Sequence, residues 1–185
     1  MGYFPFLVDI SEKTVWVIGS GEKAREKITR LEPFHPNLIL IPEFWEDRER
    51  IPPAFVVAAS EDKEENRSVR EYCVSRGIPV NVVDDKQDSD FLFPAMLTGD
   101  RLTVAVSTAG ASPAAAAVLK EKIEELLPSR IEEILDWLES IRPEVKSAVP
   151  PAERSRVFRA IFRRCMELDR PLLHQELKMI YEKNG

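Results

Sequence analysis

The chain has 185 residues, 44% of them apolar, which is enough for one medium domain with an appended helical part. Its formal net charge of -6 at pH 7 argues against nucleic acid or an anionic membrane surface as the main partner. Its two cysteines, Cys73 and Cys165, lie far apart and exclude a disulfide framework and a thiolate metal site. Because the N-terminus also lacks a signal-peptide or membrane-span pattern, we expect a cytoplasmic protein.

Apolar, β-branched runs alternate with helix-like segments in the first part of the chain. Strands are predicted over residues 13–19, 38–41, 55–60, 79–83 and 102–107. Helices are predicted over residues 22–32 and about 62–76. This alternation predicts an α/β fold with a Rossmann-like parallel sheet and helices on both faces. Ligands of such sheets bind beyond the carboxyl ends of the strands, so the topology places the candidate site there.

Only helical patterns follow Ser112. The predicted helices cover residues 113–127, 131–141, about 152–167 and about 171–183. Pro143, Pro150 and Pro151 are expected to break the chain between the second and third of these helices. We therefore predict a nucleotide-binding domain over residues 1–112, a helical region over 113–148 and a C-terminal helical region over 149–185.

A glycine turn, Gly19-Ser20-Gly21, joins the first predicted strand to the first helix, and Ala24 follows one turn later. Glycines let the main chain approach a pyrophosphate, while the helix start offers N–H groups and the positive end of its dipole. A small residue at position 24 allows close packing of helix on strand. The alternative is a tight turn that binds nothing.

Carboxylates follow two further strands. Glu43 lies after the second strand, where an acidic residue usually binds ribose hydroxyls, and this would favour NAD over a 2′-phosphorylated cofactor. Asn81 and Asp84 lie at the end of the fourth strand; Asn81 is a candidate substrate contact, and a carboxylate at position 84 can accept a proton or meet a metal. The alternatives are a surface glutamate and a turn-forming pair of aspartates.

Small hydroxyl residues and glycine connect the last predicted strand to the next helix. This segment suits carboxylate or phosphate binding at a helix start, with Ser107, Thr108, Gly110 and Ser112 as candidates. The alternative, an N-cap serine followed by proline, explains Ser112 and Pro113 fully and Ser107 and Thr108 less well. His35 and His174 are isolated, so no metal site is predicted.

Several segments together resemble a known family, the bifunctional siroheme synthases that combine precorrin-2 dehydrogenase and sirohydrochlorin ferrochelatase. The resemblance covers roughly residues 3–148 and depends above all on Asn81-Val-Val-Asp84, Phe91-Leu-Phe-Pro94-Ala and Ala105-Val-Ser-Thr-Ala-Gly-Ala-Ser-Pro113. The chain differs from the usual pattern at Ser20, Lys23 and Ala109. It is also shorter between Glu43 and Phe55, where family members carry an extra strand.

The resemblance implies NAD-dependent dehydrogenation of precorrin-2 to sirohydrochlorin, in many members followed by Fe2+ insertion, and a homodimer built through the helices after Pro113. The family's catalytic aspartate corresponds to Asp84. Its nucleotide contacts correspond to Glu22 and Lys23 and to Glu43 and Phe44, and its tetrapyrrole contacts to Ser107 and Thr108. Two alternatives stay open: a chelatase for Fe2+ or Co2+ that has lost NAD binding, and a non-catalytic tetrapyrrole scaffold.

Overall fold

A computed structural model describes residues 3–44 and 51–184 of the chain. The chain forms two compact units, one ending at Phe93 and the other beginning at Pro94. The predicted division at residues 112 and 148 stays a prediction. In the structure the strands that follow Pro94 contact the helix that begins at Pro113, so they belong to the second unit.

The first unit is built on a four-stranded parallel sheet. Its strands are β1 (Thr14–Ile18), β2 (Asn37–Ile41), β3 (Phe55–Ala58) and β4 (Val80–Val82). Their order is β2-β1-β3-β4, so β1 lies between β2 and β3. The predicted parallel α/β fold is confirmed. In the described part of the chain β2 forms one edge of this sheet.

Two helices cover opposite faces of the sheet. Helix α1 (Glu22–Leu31) buries Ala24 and Leu31 against alternate strand residues, among them Val15 and Val57. Helix α2 (Lys63–Arg76) packs Val69, Tyr72 and Cys73 against the other set, which includes Trp16 and Val56. Successive strand residues point to opposite faces, so one run of apolar residues supplies both cores.

The second unit begins with an antiparallel hairpin of β5 (Ala95–Thr98) and β6 (Thr103–Val106). The prediction that residues 102–107 form a fifth parallel strand is therefore wrong. The chain reverses sharply between β5 and β6, where the N–H of Gly99 donates to the carbonyl of Leu102 at 2.9 Å, and so β6 runs antiparallel to β5. Residues of β6 alternate between exposed and half-buried, as in a hairpin with one covered face, whereas the parallel strands β1 and β3 are almost wholly buried.

Four helices complete the second unit: α3 (Pro113–Leu126), α4 (Ile131–Ala148), α5 (Arg154–Leu168) and α6 (His174–Asn184). The prediction that Pro143 breaks the chain is wrong, because α4 continues through it. Ile141 and Val145 on either side of this proline are buried in a core shared with α5 and α6. This burial offsets the hydrogen bond that proline removes. Among the described residues, no helix is both long and apolar enough to cross a membrane.

Candidate functional site

The carboxyl ends of the four parallel strands meet at one edge of the first unit. The sheet register aligns Ile18 with Ile41 and with Ala58, and Ala58 with Val82. Main-chain bonds continue this alignment past the strands, since Gly19 N donates to Ile41 O at 2.9 Å. The segments that follow these strands, which carry the predicted cofactor residues and Asp84, are thereby brought to the same edge.

The glycine turn holds α1 against the end of β3. Gly19 has a φ of +121°, and a Cβ built there would lie 2.5 Å from the carbonyl oxygen of Ala59, so only glycine is accommodated. Gly21 is the N-cap of α1 and makes no side-chain capping bond. The first N–H groups of an α-helix have no partner within the helix, so this uncapped start is suited to bind an anion. Ala24 is buried against the strands, as its small size predicts.

Lys23 and Asp84 form an ion pair across this edge. The ammonium of Lys23, in the first turn of α1, lies 2.9 Å from Oδ2 of Asp84 and 3.9 Å from Oε2 of Glu61. Its hydrogen bond with Asp84, reinforced by the charges of Asp84 and Glu61, raises the pKa of Lys23 above its ordinary value. The structure thus brings together one predicted cofactor residue and the predicted catalytic residue. Glu22, beside Lys23, is exposed.

Glu61 was not predicted from the sequence, yet its carboxylate lies over the glycine turn. A Cβ built on Gly21 would be 2.8 Å from Oε1 of Glu61. A buried amide fixes the chain here, because Asn66 accepts from Ser60 N at 3.0 Å and donates to Ser60 O at 2.9 Å. Asp62 then caps α2 by accepting from Glu64 N. The position of Glu61 directly after the predicted strand 55–60 is the sequence signal that could have identified it.

The side chain of Asp84 is exposed in the turn after β4, whereas the side chains of Asp85 and Asn81 make hydrogen bonds to the main chain. Asp84 has a φ of +63°, and its side chain is 72% exposed. Asp85 accepts from the N–H groups of Gln87 and Asp88 at 3.0 and 3.1 Å. Asn81 is buried within β4, and its amide donates to the carbonyl of Phe91 at 2.9 Å. The predicted contact of Asn81 with substrate stays a prediction, while the described geometry gives its amide a structural partner.

Glu43 and Phe44 follow β2 and differ in their surroundings. Glu43 is exposed, whereas Phe44 packs edge-on against Tyr72 of α2 with ring centroids 5.4 Å apart. The N–H of Phe44 also donates to Glu65. Phe44 therefore joins the second strand to the core under α2, and Glu43 is the one of the two whose side chain remains in solvent.

The predicted tetrapyrrole residues form a self-bonded loop in the second unit. Thr108 Oγ1 accepts from Ser112 N and donates to Ser112 O, both at 3.0 Å. Ser112 caps α3 by accepting from Ala115 N, and Ser107 accepts from Ala109 N. Ala109 and Gly110 have φ values of +53° and +79°, so the loop reverses through the left-handed region. Ser107 and Gly110 are exposed.

No group of three or more His, Cys, Asp or Glu side chains within residues 3–44 and 51–184 could hold a metal ion. The two cysteines are buried in separate cores, Cys73 under α2 and Cys165 in α5.

Known proteins are similar to this chain over most of its length. Siroheme synthases of Thioalkalivibrio sulfidiphilus and Zymomonas mobilis are 30% and 32% identical over 178 residues, which is 85% of this chain in each case. A family model described as sirohaem biosynthesis protein, central, matches residues 100–126. A second, described as putative NAD(P)-binding, matches residues 43–95. The chain is therefore similar to the siroheme synthases over most of its length.

The siroheme synthases that it matches are much longer proteins. The chain spans 36% of the Thioalkalivibrio sulfidiphilus relative and 38% of the Zymomonas mobilis relative. Among solved structures, SirC, a precorrin-2 dehydrogenase, superposes with a TM-score of 0.69 at 17% identity and covers 98% of both chains. This likeness confirms the Rossmann-like fold.

The structure gives a physical meaning to two of the positions at which the sequence departs from the pattern it resembles. Ala109 has the left-handed φ that glycine adopts without strain. Lys23 reaches Asp84.

Proposed function

We propose that this chain is a precorrin-2 dehydrogenase that uses NAD+. The reaction removes a hydride and a proton from precorrin-2 and yields sirohydrochlorin, NADH and H+. The observation that carries the proposal is the convergence of an uncapped glycine turn with the exposed carboxylate of Asp84 at one edge of a parallel sheet. Relatives named siroheme synthase and the match to a putative NAD(P)-binding family support it.

The residues of the glycine turn fit a dinucleotide. Gly19 and Gly21 carry no Cβ, so no side chain at these two positions keeps a pyrophosphate from the main chain, and the first N–H groups of α1 have no side-chain cap. Glu43, exposed after β2, is proposed to bind ribose hydroxyls, and its negative charge would disfavour a 2′-phosphate. When bound, the nicotinamide supplies the hydride acceptor, and the chain supplies orientation and charge.

Asp84 serves as the base in this proposal. Its carboxylate accepts the proton that leaves carbon as the hydride leaves the macrocycle, and positioned bases contribute about 10²- to 10⁴-fold to rate. Ser107, Thr108, Gly110 and Ser112 are proposed to contact the carboxylate groups of the tetrapyrrole through hydroxyl and main-chain groups. The hydroxyls of Thr108 and Ser112 keep their loop in shape, so Ser107 is the hydroxyl with most freedom to bind.

The test is anaerobic incubation of the metal-free protein with precorrin-2 and NAD+, with NADH absorbance as readout. We expect NADH to form with NAD+, and NADPH to form much more slowly when NADP+ replaces it. Asp84→Asn should lower the rate by about 10²-fold or more. Asp85→Asn should retain the rate. It removes one negative charge from the neighbouring residue and keeps a side-chain oxygen that can accept from Gln87 N. A folded protein that forms no NADH would refute the dehydrogenase proposal.

The carboxylate over the glycine turn favours a second candidate, a metal chelatase for sirohydrochlorin. Glu61 lies where the pyrophosphate is expected, and this arrangement suits a protein that works without NAD. In that case Asp84 accepts pyrrole protons while Fe2+ or Co2+, as substrate, enters the macrocycle. Metal insertion that is indifferent to NAD+ and abolished by Asp84→Asn would favour the chelatase. Binding of sirohydrochlorin with neither reaction would favour a scaffold.

A homodimer through the helices after Pro113 is proposed as well. Val118, Leu119 and Leu126 of α3 are about half or more exposed, which leaves an apolar face for a second copy. Sedimentation equilibrium tests this proposal, since Leu119→Glu should shift a dimer to a monomer if α3 forms the interface.

A further inference from the structure

The ion pair between Lys23 and Asp84 links the cofactor-binding turn to the base, which have separate roles in the proposed function. Lys23 belongs to the first turn of α1, directly after the glycine turn, whereas Asp84 belongs to the turn after β4. Their charged atoms are 2.9 Å apart. A ligand that draws the ammonium of Lys23 away therefore also leaves the Asp84 carboxylate without this ion pair.

Two carboxylates, those of Asp84 and Glu61, compete for the ammonium of Lys23. The ammonium of Lys23 lies 2.9 Å from Asp84 and 3.9 Å from Glu61, and the Glu61 carboxylate lies over Gly21. A pyrophosphate at the uncapped start of α1 would bring two further negative charges close to Lys23 and repel Glu61. The side chains of Lys23 and Asp84 are 39% and 72% exposed, and exposed ion pairs exchange partners at little cost.

We propose that Lys23 is a cofactor-responsive positioning residue that holds Asp84 in the free protein and turns to the pyrophosphate when a dinucleotide binds. Cofactor binding then releases the Asp84 carboxylate from its ion pair before the tetrapyrrole reacts. This inference rests on the proposed use of NAD+. Because the two partners compete for one ammonium, removing the Asp84 carboxylate while Lys23 is kept must strengthen the hold of Lys23 on the cofactor.

A double-mutant cycle on NAD+ affinity tests the proposal without measuring turnover. NAD+ is titrated by calorimetry into the wild-type protein, Asp84→Asn, Lys23→Met and the double variant. Both side chains are partly or largely exposed, so these substitutions leave the core intact. Asp85→Asn, made in the wild-type and Lys23→Met backgrounds, is the matched control because it removes one negative charge from the same turn without touching Lys23.

We expect Asp84→Asn to tighten NAD+ binding about two- to fivefold and Lys23→Met to weaken it by a similar factor. In the Lys23→Met background, Asp84→Asn should change the affinity by less than about 1.5-fold, since the competing partner is gone. Asp85→Asn should have the same small effect in both backgrounds.

Equal tightening by Asp84→Asn with and without Lys23 would overturn the proposal, because the effect would then be general repulsion. Wild-type affinity in Lys23→Met would overturn it too. These results leave NAD+ binding, and with it the proposed function, in place. A wild-type protein that binds no NAD+ would instead refute the dehydrogenase proposal itself and the coupling with it.

Discussion

Replacing Gly19 by alanine places a methyl group where the main chain after β3 already lies. The new Cβ would be 2.5 Å from Ala59 O, 2.7 Å from Ala59 C and 2.8 Å from Ser60 N. These are main-chain atoms, so they cannot move aside by a side-chain rotation. The φ of +121° also lies outside the region that residues with a Cβ ordinarily occupy.

Both effects lower the free energy of unfolding of the first unit. The backbone strain costs about 1–3 kcal/mol, and the forced displacement of the chain after β3 adds about 1–3 kcal/mol. Gly77→Ala is the matched control, because Gly77 also has a positive φ, +66°, but no atom lies within 4 Å of the place that its new methyl group would occupy. That variant should lose only about 1 kcal/mol from left-handed strain.

Urea unfolding followed by far-UV circular dichroism measures both variants. We expect Gly19→Ala to unfold at a clearly lower urea concentration than Gly77→Ala, with little change in the slope of the transition. Equal midpoints for the two variants would show that the contact with Ala59 is relieved at no cost. Close approach to the main chain after β3 would then not be what requires glycine at position 19.

Three further predictions concern the cores and one ion pair. Ile161 is fully buried, so Ile161→Ala should destabilise the second unit by about 2–5 kcal/mol in urea unfolding, and Ile161→Val by much less. Hydrogen bonds from Arg170 and the N–H of Leu173 lower the pKa of Glu176 to about 2, so its contribution to stability is complete above its ordinary value of 4.5 and is lost as pH falls towards 2. Glu176→Gln should therefore lower stability at neutral pH and flatten this acid dependence in thermal unfolding; an unchanged pH profile would contradict the assignment. Burial raises the pKa of Cys73 to about 12, so a thiol reagent at about pH 8 should label it only after denaturant is added.

The parallel sheet could be predicted because its signals are local. Runs such as Val15-Trp-Val-Ile18 and Phe55-Val-Val-Ala58 are apolar on both faces, which is typical of strands covered by helices on each side. Strand β5 is not predicted by the sequence because it directly follows Pro94 and has no clear alternation. Without β5, the partner and direction of β6 could not be predicted from its own residues.

The candidate site could be predicted in position but not in its contacts. Strand ends and glycines indicate its place at the sheet edge. The pairing of Lys23 with Asp84 depends on how far a long side chain reaches between segments that are distant in sequence. Asn81 illustrates the opposite case, since a polar residue in the last strand before Asp84 suggests binding, whereas its amide donates to the main-chain carbonyl of Phe91.

The central place of β1 has a consequence for how the chain folds during synthesis. β1 leaves the ribosome before the other three strands of its sheet, and each of its partners follows a helix or a connecting segment later. It therefore stays an unpaired apolar strand until β2 and β3 have emerged. For that interval the nascent chain exposes an aggregation-prone edge. The antiparallel hairpin of the second unit has no such delay, because its two strands are joined by a short turn.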